Sequence, residues 1–325
     1  MGRLAVIGES AVRSVVTRQL AFDAVRGAFE SVATGDSQVF DVVIGTGLRS
    51  GEIFAIKSGT DHRNRLVGFK CGSYWAGNSA MDLPAHGSTI VLLDPETGFP
   101  QVLINASLLN GYRTAAADAI AVSVLARPDA SVLGVIGAGH QAEHEIRAVA
   151  AVRDLRLVKV FTRSQSRARW LAGQLKDIAI DIRFTSAEEA VRGSDIVVTV
   201  TPSRAPLVMD EWIAAGTHIS AMGADAMGKN ELQTAILDRA RLFADYPAQS
   251  IRIGEFQNAH REGIIGSEDA VCALGLVTLG KSSGRVSDSE ITVFDSSGIA
   301  IQDLAVATAV FEGARREGLI EYIEF

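Results

Sequence analysis

The stretch from Ser131 to Ile136 is a short apolar run that leads directly into Gly137–Ala138–Gly139–His140–Gln141–Ala142, and a helix-forming segment, Glu143 to Val152, follows. This is G-x-G-x-x-A in the strand–turn–helix setting that gives the pattern its meaning, a phosphate-binding turn of a doubly wound α/β fold. Gly137 permits the tight turn, Gly139 lets a pyrophosphate approach the backbone, and Ala142 keeps the helix close to the strand. The free N–H groups of the helix N-terminus face the anion. Gly137, Ala138, Gly139, His140 and Gln141 are therefore assigned to a dinucleotide. Binding a nucleotide does not by itself define a reaction.

The next strand refines the cofactor. Leu157–Phe161 ends at Thr162, Arg163 and Ser164, with Arg167 one helical turn later. An NAD site usually places Asp or Glu there, about 20 residues past the glycines, to bind the ribose 2′-hydroxyl. No carboxylate is available. Arg163 with Ser164, helped by Arg167, suits a 2′-phosphate, so NADP(H) is favoured and NAD(H) remains possible. The alternative is that these arginines only solvate the start of a helix.

From Val132 onward, candidate strands alternate with helices: Val132–Ile136, Leu157–Phe161, Ile182–Phe184, the wholly apolar run from Ile196 to Val200, His218–Met222 and Arg241–Ala244. Such alternation predicts a mainly parallel, doubly wound sheet. The first 110 residues read differently. A helix from Gln19 to Val32 precedes strands at Val39–Ile44, Ile53–Lys57, Leu66–Lys70, Thr89–Leu93 and Gln101–Ile104, with a hairpin turn at Asp94–Gly98. A helical C-terminal segment, Gln302 to Arg316, is expected to pack back onto them. The expected fold class is α/β, a Rossmann domain (117–298) inserted into an α+β substrate domain (1–116 with 299–325).

Net charge of −7 with no basic stripe argues against a nucleic-acid partner. Met1 to Ser10 lacks a signal-peptide pattern, and no stretch is long and apolar enough for a bilayer. Cys71 and Cys272 stand alone, which fits a cytoplasmic protein without a thiolate metal site. His140 and His144 lie one helical turn apart, but Gln141 stands where a zincin needs Glu, so no metal is expected. No G-x-S-x-G elbow supports a serine hydrolase.

Three side chains stand out for chemistry. Lys70 ends an apolar strand and Arg113 opens an Ala-rich helix, Thr114 to Ala121. A point charge and a two-pronged donor brought together would clamp one carboxylate, although either alone is more often a surface charge. Asp225 follows Met222–Gly223–Ala224, past a strand expected to end beside the cofactor, where a carboxyl group suits proton transfer. The competing reading makes Asp225 a cap for a helix over Glu231–Ile236. The loop Thr201–Pro202–Ser203 is expected beside the nicotinamide, because ligands of such sheets sit outside the strands' carboxyl ends.

Taken together, the strings Gly68–Phe69–Lys70, Gly111–Tyr112–Arg113–Thr114–Ala115–Ala116, the Gly137–Ala142 turn, Gly223 to Leu232, and Val293–Phe294–Asp295–Ser296–Ser297–Gly298 closely resemble the ornithine cyclodeaminase/mu-crystallin family in order and spacing. The resemblance implies a homodimer built through the substrate domains, with Lys70 and Arg113 on the substrate carboxylate and Asp225 handling the proton at nitrogen. The matched strings also carry Arg113, Thr114, Met222, Gly223, Ser297 and Gly298 to the cofactor. A glutamate and an upstream arginine of ornithine cyclodeaminases find no counterpart in Ile53–Lys57 and Val42–Ile44, although Arg49 lies near. Lys57, alternating with Ala55 on a strand expected to neighbour Lys70, adds a third cation and suggests two carboxylates. Lys57, His86, Cys71–Trp75 and Ala248–Glu255 are similar to the iminosuccinate reductase branch, where His86 would meet the distal carboxylate or serve as a hydrogen-bonded structural residue. The expectation is an NAD(P)H-dependent imino-acid reductase of a small-molecule imino dicarboxylate. The alternatives are ornithine cyclodeaminase, cyclic ketimine reductase, alanine dehydrogenase-like chemistry, and a non-catalytic mu-crystallin-like binder.

Overall fold

The computed structural model describes residues 3–325. Met1 and Gly2, where the stretch read for a signal peptide begins, lie outside the described residues. The chain forms two compact units, one running to Arg113 and resuming over Ile299–Phe325, the other Thr114–Gly298.

The first unit opens with β1 (Arg3–Ile7), α1 (Glu9–Val15) and α2 (Arg18–Ala33). Thr17 caps α2 by accepting from the Leu20 N–H. The run Val39–Ile44 is not one strand. It is split into β2 (Ser37–Val39) and β3 (Val43–Thr46), both antiparallel to β4 (Ile53–Asp61). Asp41, a poor strand former, sits in the break. Next come β5 (Leu66–Tyr74), β6 (His86–Leu93) and β7 (Pro100–Asn105). The β6–β7 turn is the expected Asp94–Gly98 hairpin. The Asp94 carboxylate accepts from the Glu96 and Thr97 N–H groups, and Gly98 closes the turn with φ +73°.

Helix α3 (Ser107–Leu125) carries the chain from one unit into the other. It begins two turns earlier than its Ala-rich part suggests, because the Asn105 side chain accepts from the Ser107 N–H at 3.1 Å and starts the helix there. Arg113 therefore lies inside α3 rather than at its opening.

The second unit alternates strongly. It contains β8 (Val132–Ile136), α4 (His140–Val152), β9 (Leu157–Phe161), α5 (Gln165–Gln174), β10 (Asp181–Thr185), α6 (Ala187–Val191), β11 (Ile196–Thr199), β12 (Arg204–Val208), β13 (His218–Ala221) and β14 (Asn230–Leu232). It continues with α7 (Ala235–Arg239), β15 (Arg241–Ala244), α8 (Pro247–Ile253), α9 (Gln257–Arg261), β16 (Cys272–Ala273), α10 (Leu274–Thr278) and β17 (Thr292–Asp295). The main sheet has the order β10-β9-β8-β11-β13-β17-β15-β16, every pair parallel. Strands β8, β11, β13 and β17 are buried along their whole length; β8 and β11 accordingly read as nearly continuous apolar runs, while β13 carries buried His218 and Ser220. This is a Rossmann arrangement, with β12 and β14 forming a small parallel pair beside it.

The chain then returns to the first unit as α11 (Ala300–Glu317) and β18 (Glu321–Glu324). Helix α11 packs on α2, β4 and β5, as the sequence leads one to expect. The sheet order there is β18-β1-β7-β6-β5-β4-β2, with β3 on β4. No helix among the described residues is long and apolar enough to cross a membrane.

Candidate active site

In the first unit, Lys57 and Lys70 stand directly opposite each other across β4 and β5, so their side chains leave the same face of the sheet. Gly59 and Gly68, the next facing pair along, leave room for α11. A Cβ at Gly59 would lie 2.7 Å from the Ile301 side chain, and one at Gly68 would lie 2.3 Å from the Val91 carbonyl oxygen and 3.2 Å from Leu304. This close seat brings Asp303, in the first turn of α11, onto the lysine face. Its carboxylate pairs with Lys70 Nζ at 2.7 Å and with Arg113 Nε at 3.1 Å. Asn110, one turn before Arg113 on α3, accepts from Arg113 Nη2 at 2.7 Å and from Lys70 Nζ at 3.4 Å. Lys70, Arg113 and Asp303 are all buried.

The structure thus gathers Lys57, Lys70 and Arg113 around one carboxylate. His86 shares the Lys70 face but lies four residues along the neighbouring strand, roughly 13 Å away. It is exposed, with its ring 4.7 Å from that of Tyr74. Between the two lies Ser88, whose Oγ is buried with no hydrogen-bond partner among the described residues.

Burial pushes the Lys70 pKa down to about 7, Asp303 pulls it back up, and Arg113 and Lys57 lower it further. Burial alone would raise the Asp303 pKa, but the attraction of Lys70 and Arg113 prevails and holds it below the usual range. Asp303 is therefore the fixed anion of the cluster and Lys70 the group that titrates near neutrality. Anion binding needs Lys70 charged, so kcat/KM is expected to be highest below pH 7 and to fall as pH rises through about 7. A profile of kcat/KM between pH 5.5 and 9.5 checks this, and a flat profile would remove Lys70 as the controlling group. The effect on folding has the opposite sign. The unfolded lysine keeps its proton up to about 10.5, so this group's contribution to stability increases between pH 7 and 10.5.

In the second unit, the β8–α4 turn fits a pyrophosphate. Gly137 has φ +123°, and a Cβ there would lie 2.9 Å from the Val200 carbonyl oxygen. A Cβ on Gly139 would meet nothing within 4 Å, which leaves the approach to the backbone open. No side chain caps the α4 N-terminus, so its N–H groups remain available to an anion. His140 sets its ring edge-on to Trp170, and the Gln141 amide donates to buried Glu145 at 2.6 Å. Beyond β9, Ser164 caps α5 by accepting from the Arg167 N–H, while Arg163 and Arg167 are exposed.

The remaining expected cofactor residues sit at the carboxyl ends of the central strands. Thr201, Pro202 and Ser203 follow β11, and Met222 and Gly223 follow β13. Ser297 and Gly298 follow β17; the Gln249 amide donates to both, and Asp245 accepts from the Gly298 N–H at 2.7 Å. Thr114 is buried on α3. Asp225 is exposed in the loop after β13 and ion-paired with Lys229. It caps no helix. Residues 230–232 form β14, because β12 pairs with them and Glu255 accepts from the N–H groups of Glu231 and Leu232. Among the described residues no group of three or more His, Cys, Asp or Glu is placed to hold a metal.

Sequence reasoning passed over Asp303, Asn110, Glu231 and Glu255. The available signal was an acid inside an otherwise apolar stretch, as in Gln302–Asp303–Leu304–Ala305–Val306. A carboxylate on a helix buried on nearly every side must find cations.

The fold and these two sets of residues define an NAD(P)-dependent oxidoreductase of amino- and imino-acid metabolism. The chain belongs to the ornithine cyclodeaminase/mu-crystallin family, which it matches over residues 5–318. It is 37% identical to the iminosuccinate reductase of Paracoccus denitrificans (strain Pd 1222) over 98% of this chain and 99% of that one. The crystal structure of that enzyme with NAD+ superposes with a TM-score of 0.92 at 37% identity, over 99% and 100% of the two chains. An archaeal alanine dehydrogenase dimer with bound NAD gives 0.92 at 35% identity, over 99% of each chain. The Thermococcus litoralis Δ1-pyrroline-2-carboxylate reductase, solved with NADH and L-proline, gives 0.91 at 28%, over 98% and 100%.

Proposed function

We propose that the protein reduces a small imino dicarboxylate, iminosuccinate or a close analogue, to the corresponding amino acid. The observation that carries this reading is the facing of Lys57 and Lys70 across β4 and β5, beside Arg113. Asp303 pairs with Lys70 and Arg113, and the Lys57 charge acts on both Lys70 and Asp303. Like charges directly opposite on neighbouring strands are unfavourable, and a dianionic substrate relieves them. The similarity to an iminosuccinate reductase supports the same choice.

Lys70 and Arg113 would hold the α-carboxylate, with Lys57 and the unpartnered Ser88 Oγ toward the second one and His86 at the outer end of that face. Asp225 would hold the proton delivered to the imine nitrogen, directly or through water. Gly137, Ala138, Gly139, His140, Gln141, Thr162, Arg163, Ser164, Arg167, Thr201, Pro202, Ser203, Met222, Gly223, Ser297 and Gly298 would hold the cofactor, with Arg113 and Thr114 at its edge. When bound, the nicotinamide supplies the hydride for the imine carbon. Relatives solved with NAD+ or NADH support this cofactor class. The exposed arginines and missing carboxylate after β9 favour NADP(H) within it.

The division of labour is part of the proposal, with residues 1–116 and 299–325 for substrate and dimerisation and 117–298 for the nucleotide. Exposed Phe40, Val43, Ile44, Leu48 and Ile53 on the first unit support a homodimer, as does the alanine dehydrogenase dimer. The free thiols Cys71 and Cys272 suit the reducing cytoplasm.

Oxidation of NADPH and NADH at 340 nm, with oxaloacetate and excess ammonia as the source of iminosuccinate, tests the reading. Rapid oxidation only when both are present, with aspartate as product, is expected. No oxidation with oxaloacetate, but turnover of a cyclic ketimine or redox-neutral conversion of ornithine, would overturn the substrate. A lower KM for NADH than for NADPH would overturn the cofactor preference.

A further inference from the structure

Glu231 is fully buried in the middle of β14, yet its carboxylate is completely engaged. One oxygen accepts from the Thr201 N–H and Thr201 Oγ1, both at 2.7 Å. The other accepts from Thr199 Oγ1 at 2.8 Å and from the Gly223 N–H at 3.0 Å. Thr199 ends β11, Thr201 lies two residues beyond it, and Gly223 follows β13, the next strand in the sheet. One side chain therefore fastens together two loops that leave the carboxyl ends of neighbouring strands. The fit is tight. A Cβ on Gly223 would lie 2.4 Å from a Glu231 carboxylate oxygen and 2.3 Å from the Thr201 carbonyl oxygen, so this position needs glycine.

Behind it, Glu255 takes the Glu231 and Leu232 N–H groups and the Asn230 amide, which fixes the backbone that carries the clamp. Burial, and then the neighbouring Glu231 charge, push the Glu255 pKa up to about 8.

We infer that Glu231 is a positioning residue that sets the nicotinamide end of the cofactor site by holding the Thr201–Ser203 and Met222–Gly223 loops in register. Four donors converge on it, so the site requires an acceptor on both oxygens. Glutamine keeps the size but turns one of them into a donor that faces two donors. This inference rests on the second unit binding a nicotinamide dinucleotide, and its test separates the two.

The experiment is fluorescence and calorimetric titration of the intact enzyme with the preferred reduced cofactor and, separately, with the same molecule lacking nicotinamide (ADP-ribose or its 2′-phosphate). Glu231→Gln is expected to weaken binding of the reduced cofactor by about tenfold while leaving the truncated ligand unchanged. Thr199→Val, nearly isosteric and removing one of the four donors, should shift the same ratio in the same direction by about threefold, and it carries the test if Glu231→Gln does not fold. Equal weakening of both ligands, or of neither, would overturn the inference. A wild-type enzyme that binds neither ligand would overturn the cofactor reading and the inference with it.

Discussion

Asp225→Asn is expected to bind the reduced cofactor as the parent does and to lose about 10²- to 10⁴-fold in kcat. The side chain stands exposed in the loop after β13, so its replacement by an isosteric amide disturbs no packing. Its ion pair with Lys229 is half exposed and contributes little to stability. What the amide removes is the capacity to hold and release a proton. Unchanged melting and cofactor titration beside collapsed turnover would place Asp225 at the reacting nitrogen. Undiminished turnover would remove it from the mechanism.

The second large effect concerns Asp303. Asp303→Asn leaves Lys70 and Arg113 buried without their shared anion, and removing one partner of a buried pair costs about 3–5 kcal/mol. Denaturant unfolding should show that loss. The variant should also bind substrate poorly, because without the carboxylate that holds it up the Lys70 pKa falls further. The decline of kcat/KM with rising pH should then begin at lower pH than in the parent. A triple replacement, Lys70→Met and Arg113→Met with Asp303→Leu, should recover much of the stability and none of the activity. A stable, active Asp303→Asn enzyme would show that the two cations are oriented by other means.

The nucleotide-binding unit was legible because its signals are local. The β8 run, the glycines and α4 are contiguous, and fully apolar strands identify themselves without reference to partners. The Lys57–Lys70 face was also legible, since alternation along β4 and β5 fixes which side chains share a side. Asp303 was not, because its partners are distant in sequence and its meaning depends on how closely α11 seats over Gly59 and Gly68. The start of α3 was misjudged for a smaller reason. The Asn105 side chain opens the helix with a hydrogen bond that no propensity records. At Glu231 the sequence suggested a helix, and the structure shows a strand, because Glu255 claims the backbone donors. At Asp303 and Glu231 a specific long-range ion pair or hydrogen bond decided against the local pattern, whereas at α3 the deciding bond spans only two residues.

Asp303 and Arg113 are 190 residues apart in the chain. The intervening segment is the entire nucleotide-binding unit. During synthesis the ribosome releases Lys70 and Arg113 long before the residue that neutralises them exists, and a chain stopped at the end of β17 carries two cations with no counter-charge. The first unit can close only when α11 arrives, after the whole nucleotide-binding unit has been made. Lengthening such a loop is entropically cheap, about 0.6 kcal/mol for each doubling, so an insertion this large is tolerated. The consequence is a built-in order of assembly. The cofactor-binding half can mature first, and the charge cluster is completed only once α11 has been translated.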